Sequence, residues 1–273
     1  MLRTRVLVAV ILLPIGLGVI YLGGWIFTAF IAMILGLAAW EFADLFRKSG
    51  FQPATVIMVA GAVLLAGGRF LDGFESASWI FTLLILTSMA YHLVAYERGR
   101  DQAGTDFTIT LSGTLYLGWL GAYLISLRAL PAGAWLIWLV LLAVFLADSA
   151  AYFIGRRFGR HKLSPRLSPK KTWEGYLAGV IAGTLGAALV AYLWGLWAGP
   201  DFTVTPWQGA LLGLVISVIT TLGDLGESMI KRQSGVKDSS NLLPGHGGVF
   251  DRIDSWLWAA PIGYYFILWV VGG

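Results

Sequence analysis

Long runs of apolar residues, separated by short polar segments, follow one another along almost the whole sequence. A helix needs about 20 mostly apolar residues to cross the hydrocarbon core of a bilayer. Runs of that kind lie at about 6–22, 25–46, 53–68, 77–96, 107–127, 134–155, 173–198, 207–230 and 255–271. The pattern predicts an all-α polytopic membrane protein of about nine transmembrane helices, folded as a single integral membrane domain over residues 1–273.

The composition agrees with bilayer solvation. Hydrophobic residues make up 58% of the chain and charged residues 12%, and the mean hydropathy is +0.76. A soluble domain of 273 residues would carry far more charge on its surface. The absence of cysteine excludes disulfides, thiolate metal sites and a cysteine nucleophile.

The basic residues are concentrated on one side of the predicted membrane. If the N-terminus is cytoplasmic, all but two of the 19 lysines and arginines fall in cytoplasmic segments, the exceptions being Arg69 and Arg128. This asymmetry predicts a multi-pass protein of the inner (cytoplasmic) membrane, with an active site that faces the cytoplasm. The net charge of +4 is thus attributed to topology and to anionic lipid or nucleotide, not to nucleic acid. Two long basic loops, 156–172 and 231–254, are expected on the cytoplasmic side and, with the flanking helix ends, are expected to form the active site.

Two acidic residues interrupt predicted spans at similar depths. Asp148 lies in the sixth span and Asp224 in the eighth, each a few residues before a basic loop. An intramembrane carboxylate is costly, so it normally faces a polar cavity or a partner. We expect the two acids to share a polar cavity; the alternative is that each merely pairs with a basic residue or a helix end. Glu227, one turn after Asp224, is interpreted as a solvated carboxylate at a helix end; a further metal ligand is the alternative.

The end of the first basic loop has the composition of an anion site. The segment SPKKTWEG at 168–175 places Lys170 and Lys171 directly before a predicted helix that Thr172 and Glu174 help to begin. Backbone amides at a helix N-terminus beside two lysines bind anions, and phosphate is the expected guest. The rest of the loop is explained equally well as an anchor to anionic headgroups.

Glycines recur every fourth residue on the seventh span, at Gly175, Gly179 and Gly183. Such a face lets another helix approach closely, so we interpret these glycines as packing residues. The same face also permits a homodimer.

The segment from Ser228 to Ser255 combines cations, glycines and carboxylates at a membrane boundary. Carboxylates bind a hard divalent cation, while lysine and arginine neutralise phosphate oxygens. This combination suits phosphoryl or nucleotidyl transfer, in which catalysis consists mainly of positioning and charge stabilisation. Its charged residues are Lys231, Arg232, Lys237, Asp238, Asp251, Arg252 and Asp254.

From Ser228 to Asp254 the chain resembles, without departure, the signature of phosphatidate cytidylyltransferases (CDP-diacylglycerol synthases). The motifs D-S-x-A-Y from Asp148, G-R-x-F-G-R from Gly155 and S-P-K-K-T-x-E-G from Ser168 are similar to the same family, as is Trp40-Glu41-Phe42. The resemblance implies that CTP and phosphatidate, drawn from the membrane lipids, react to give CDP-diacylglycerol and pyrophosphate. It also implies a requirement for Mg²⁺, and leaves open a second cation such as K⁺.

The resemblance further implies roles for individual residues. Asp224 and Asp251 would be the metal ligands and belong to the catalytic set. The other catalytic candidates are Lys237, Arg252 and His246, and the substrate-binding candidates are Asp148, Lys170, Lys171, Lys231, Arg232, Asp238 and Asp254. For His246, a proton acceptor and a structural residue of the turn remain alternatives.

Two other functions are weighed against this one. A polyprenol or phytol kinase would use CTP to make a lipid monophosphate, without joining a nucleotide to the lipid. A transporter of an anionic solute would also contain intramembrane acids and broken helices. A transporter needs acids near the midplane and access from both sides, whereas the polar residues here cluster on one side.

Overall fold

The computed structural model describes residues 2–242, 245 and 247–272, without the side chains of residues 2–9, 11 and 12. These residues form long helices joined by short segments, with one β-hairpin. The elements are α1 (Leu2–Leu22), α2 (Gly24–Lys48), α3 (Thr55–Asp72), α4 (Ser76–Glu97), α5 (Ala103–Gly113), α6 (Tyr123–Ala129), α7 (Gly133–Phe158), β1 (Lys162–Ser164), β2 (Ser168–Thr172), α8 (Trp173–Trp197), α9 (Pro206–Gln233) and α10 (Phe250–Phe266).

Eight helical segments in the described part of the chain are long and apolar enough to cross a membrane. They are Gly24–Lys48, Thr55–Asp72, Ser76–Glu97, Ala103–Ala129, Gly133–Phe158, Trp173–Trp197, Pro206–Gln233 and Phe250–Gly272. Each coincides with one of the predicted spans from the second to the ninth, which confirms an all-α polytopic membrane protein. The first predicted span falls on α1, whose part Leu13–Leu22 is apolar but shorter.

Two of these spans contain π-helical turns. The segment Thr114–Trp119 continues α5 as a π-helix, and Ile267–Gly272 does the same after α10. Neither irregularity could be read from the apolar pattern, because one additional residue in a helical turn leaves the hydrophobicity of the run unchanged.

Contacts within the chain divide it into two compact units. The first comprises Met1–Ser126 and Ile230–Ile253, and the second Leu127–Met229 and Asp254–Gly273. In the first unit α2 packs along α3, and α3 along α4; in the second α7 packs along α8. The single integral domain stays a prediction.

The glycine face of α8 packs against other helices of the second unit. A Cβ atom at Gly179 would lie 2.8 Å from the carbonyl oxygen of Ala147 on α7. A Cβ atom at Gly183 would collide with Ser217 of α9. The close packing predicted from the glycine repeat is therefore confirmed. Because helices of the same chain occupy this face, it offers no surface to a second copy, and the homodimer stays a prediction.

Arg69, one of the two cations outside the basic segments, is buried in the first unit. Its guanidinium carbon lies 3.7 Å, 4.4 Å and 4.8 Å from the ring centroids of Phe74, Trp119 and Tyr123. It also donates a hydrogen bond of 2.9 Å to Ser126 Oγ. Cation–π contacts strengthen when the charge is removed from water, so the three rings offset part of the cost of burial.

The predicted basic loops are shorter than expected, because the flanking helices continue into them. Helix α9 reaches Gln233, which places Lys231 in its last turn, and α10 begins at Phe250, which places Asp251 in its first turn. Basic residues at a helix C-terminus and acidic residues at an N-terminus stabilise the helix dipole. Charged residues that were expected in loops therefore lie in the end turns of the helices, where they stabilise the helical conformation.

The orientation in the membrane is testable because the chain contains no cysteine. We expect Pro165→Cys, in the turn of the β-hairpin, and Gln233→Cys, at the end of α9, to be inaccessible to an impermeant thiol reagent on intact cells. Both side chains are exposed, so they should react once the membrane is permeabilised. Asp201→Cys, in the exposed segment between α8 and α9, should react on intact cells. Labelling of the first two from outside would overturn the orientation.

Candidate active site

Three carboxylates meet in the second unit. Asp224 and Glu227 lie one turn apart on α9, and Asp254 comes from α10; one oxygen of each lies within 4.8 Å of the others. Gly223 allows this approach, since a Cβ atom there would lie 2.8 Å from the carbonyl oxygen of Asp254 and 2.6 Å from Trp258 Cδ1. A group of carboxylate oxygens at this spacing fits a hard divalent cation such as Mg²⁺.

The burial of Glu227 contradicts the prediction of a solvated carboxylate. The residue is 2% exposed. Helix α9 continues to Gln233, so Glu227 does not lie at the helix end. A carboxylate buried at this depth is costly unless positive charge or hydrogen bonds compensate it. Glu227 is therefore a candidate functional residue, and its spacing of three residues from Asp224 was the signal for it in the sequence.

Lys171 approaches the carboxylates from the start of α8. Its Nζ lies 2.6 Å from Asp224 Oδ2, and Ser228 Oγ lies 3.4 Å from Asp224 Oδ1. Asp148 on α7 interacts electrostatically with both Asp224 and Lys171. The two intramembrane acids thus lie near each other, as their similar depths predicted. Asp224 also has the basic partner that the alternative interpretation required.

A β-hairpin and a helix cap determine the position of Lys171. Strands β1 and β2 pair in antiparallel fashion, with Lys162 opposite Thr172. Thr172 Oγ1 then accepts a hydrogen bond of 3.2 Å from the amide of Gly175 and caps α8, as predicted. The hairpin itself was missed, because the sequence was interpreted as an irregular basic loop.

Glu174 holds the beginning of the hairpin instead of completing the cap. Its carboxylate accepts hydrogen bonds from the backbone amides of Arg160, at 3.1 Å, and His161, at 3.2 Å. It also lies 2.6 Å from Nδ1 of the His161 ring. The two strands that precede α8 are therefore fastened to the first turn of that helix.

In the first unit, Asp251 is enclosed by hydrogen-bond donors. Its Oδ1 lies 2.7 Å from Lys231 Nζ. Its Oδ2 accepts from the amide and hydroxyl of Ser239, both at 3.0 Å, and from the amide of Gly248 at 2.7 Å. The side chains of Asp251 and Lys231 are 5% and 11% exposed. This is a nearly dry ion pair, so removal of either charge would leave the other poorly solvated.

Glu41 of α2 lies beside this ion pair and is fully buried. Its carboxylate accepts hydrogen bonds from Ser239, Ser240, Val249 and Phe250. In the sequence, Glu41 stands out only as part of the motif Trp40-Glu41-Phe42. An acidic residue inside an apolar span was the available signal that it has a polar partner.

The remaining predicted residues form exposed positive and negative groups. Lys170, Arg232, Lys237, Asp238 and Arg252 are exposed. Arg232 also donates a hydrogen bond of 3.2 Å to the carbonyl oxygen of Val236. His246 lies outside the described residues, so its predicted role stays a prediction. Lys171 and Lys231 differ from these exposed cations, because their ammonium groups lie 2.6 Å and 2.7 Å from carboxylate oxygens.

Comparison with known proteins covers nearly the whole chain. A family model described as "Cytidylyltransferase family" matches residues 3–270. A protein of Synechocystis sp. named phosphatidate cytidylyltransferase is 34% identical over 97% of this chain and 96% of its own length. Proteins of the same name from Pseudomonas aeruginosa and Brucella suis are 38% and 35% identical, over 100% and 97% of this chain and 98% and 93% of their own lengths.

Proposed function

Since the chain belongs to the cytidylyltransferase family, we propose that it transfers the cytidylyl group of CTP to phosphatidate, giving CDP-diacylglycerol and pyrophosphate. This reaction supplies an activated lipid for phospholipid biosynthesis. The observation that supports it best is the group of Asp224, Glu227 and Asp254 beside Lys171, in a chain built of membrane-spanning helices. The carboxylates suit a divalent cation that neutralises a triphosphate, and the membrane-spanning helices place the site within reach of a lipid.

Asp224 is the proposed ligand of Mg²⁺, together with Glu227 and Asp254. Their oxygens match the preference of Mg²⁺ for hard donors. Bound Mg²⁺ supplies positive charge to the triphosphate of CTP. Asp251 stays a proposed ligand from the family resemblance. To bind a cation through Oδ1, it would have to break its ion pair with the ammonium group of Lys231. A second cation such as K⁺ stays an untested expectation.

The reaction needs little acid–base chemistry from the protein. A phosphatidate oxygen attacks the α-phosphorus of CTP, a new P–O bond forms, and the bond to the leaving pyrophosphate breaks. The phosphate monoester is already anionic at neutral pH, so no residue has to remove a proton from the nucleophile. The chain's own contribution is to hold the reactants and to neutralise their charge, and the exposed cations Lys170, Arg232, Lys237 and Arg252 bind phosphate oxygens for this purpose.

The proposed location is the inner membrane, with the site open to the cytoplasm. CTP is a cytoplasmic solute, whereas phosphatidate reaches the site from within the bilayer. The distribution of lysine and arginine supports this orientation, because it follows the positive-inside rule with two exceptions, Arg69 and Arg128. The guanidinium of Arg69 is buried against three aromatic rings, which stabilise its charge within the protein.

The position of the label in the lipid product tests the proposal. Purified protein in mixed micelles with phosphatidate and Mg²⁺ should incorporate label from [α-³²P]CTP into lipid. With [γ-³²P]CTP in a parallel reaction, the label should be released as pyrophosphate. Incorporation should stop when phosphatidate is replaced by diacylglycerol, since the alcohol lacks the anionic nucleophile. Transfer of γ-label to lipid, with none from the α position, would instead identify a lipid kinase.

A further inference from the structure

The hydrogen bonds of Glu41 join two parts of the chain that follow α9. In the first part, Ser239 Oγ donates to Oε2 at 3.1 Å and Ser240 Oγ donates to Oε1 at 2.6 Å. In the second, the amide of Val249 donates to Oε1 at 2.9 Å and the amide of Phe250 to Oε2 at 2.7 Å. One buried carboxylate on α2 thus holds two sites that lie about 200 residues away in the chain.

Glu41 also supplies acceptors for the N-terminus of α10. The first amides of a helix have no acceptor within the helix, and a negative charge beside them is stabilising. Glu41 accepts from Val249 and Phe250, while the amide of Gly248 donates to Asp251 in the helix's own first turn. A Cβ atom at Gly248 would lie 2.5 Å from Glu41 Oε2, so glycine is required for this approach.

Ser239 connects Glu41 to Asp251. Its hydroxyl lies 3.1 Å from Glu41 Oε2 and 3.0 Å from Asp251 Oδ2. A serine hydroxyl has one proton to donate, so the two carboxylates share it. Ser239 is fully buried. The orientation of the Asp251 carboxylate therefore depends on the position of Ser239, which Glu41 holds.

We propose that Glu41 is a positioning residue for Asp251: it orients the Asp251 carboxylate by fixing Ser239 and the first turn of α10. The inference rests on the proposed function, in which Asp251 is a cation ligand proposed from the family resemblance. Groups that orient a metal ligand typically change metal affinity or activity by about 10- to 100-fold when they are replaced.

The test compares Glu41→Gln with Glu97→Gln, a change of an exposed glutamate at the end of α4. Glutamine retains the volume of glutamate but has a single acceptor oxygen. Its NH₂ group is itself a hydrogen-bond donor and so cannot accept from Ser239, Ser240, Val249 or Phe250. We expect faster hydrogen exchange at the amides of Val249 and Phe250 in purified protein without substrate. We also expect kcat/KM to fall about 10- to 100-fold and the half-saturating Mg²⁺ concentration to rise by a similar factor. Glu97→Gln should match the wild type in all three measurements.

Two results would overturn the inference: unchanged exchange at Val249 and Phe250, or faster exchange with wild-type activity and Mg²⁺ dependence. If Glu41→Gln does not fold, the same measurements are made on Ser240→Ala, which removes one of the four donors to Glu41. The expected changes in exchange, kcat/KM and Mg²⁺ dependence are then smaller. Failure of the proposed function is distinguishable, because the wild type would then place no α-label in lipid, whereas the exchange result needs neither substrate.

Discussion

Asp224→Asn should lower kcat/KM by about three orders of magnitude while the protein still folds and inserts. Asparagine preserves the size and one oxygen but removes the charge that we propose holds Mg²⁺ beside Glu227 and Asp254. A bound metal ion contributes several kcal/mol to catalysis, and each 1.36 kcal/mol is about a tenfold change in rate. Incorporation of [α-³²P]CTP into lipid measures the loss, and thermal unfolding of the purified variant shows that the fold is intact.

Asp201→Asn is the matched control, because Asp201 is an exposed acid between α8 and α9 of the same unit. It should retain wild-type turnover. The same change at Asp251 should also abolish activity, but with a lower Tm, because the buried Lys231 loses the carboxylate that lies 2.7 Å from its ammonium group. Near-normal turnover of Asp224→Asn at ordinary Mg²⁺ concentrations would refute the ligand assignment.

Gly183→Leu should prevent stable packing of α8 against α7 and α9. The first added atom, Cβ, would already collide with Ser217 Oγ and approach Ala147 Cβ to 3.2 Å. Both neighbours belong to packed helices, so the change should cost about 3 kcal/mol or more. The measurements are the Tm and the yield of monodisperse protein after purification in detergent.

Gly195→Leu separates this steric effect from the general effect of replacing glycine in a helix. Gly195 lies on the same helix, and a Cβ atom there meets no other atom within 4 Å. The control should equal or exceed the wild-type Tm, since leucine favours helix formation more than glycine does. Equal stability of the two variants would contradict the role assigned to the glycine face.

The sequence predicted features that depend on local pattern. Apolar runs located the spans from Gly24–Lys48 onward, because burial in lipid requires about 20 apolar residues wherever the span lies in the chain. The spacing of the glycines predicted close packing on α8. The position of Asp148 and Asp224 before basic loops predicted that they lie near each other.

Features that depend on contacts between distant segments could not be predicted. Glu227 was expected in water because α9 was expected to end sooner; its burial follows from the continuation of the helix and the approach of α10. The bond from Phe250 to Glu41 spans 209 residues, so no local window contains both partners. The aromatic environment of Arg69 likewise includes residues as far along the chain as Tyr123.

The separation of 209 residues between Glu41 and Phe250 also imposes an order in time during synthesis. At about 5–20 residues per second, α10 emerges from the ribosome about 10–40 s after α2. For most of that interval none of the four hydrogen-bond donors to Glu41 has been translated, and the two backbone donors, Val249 and Phe250, come last. A nascent chain that stops before Val249 therefore lacks both backbone donors to this acid.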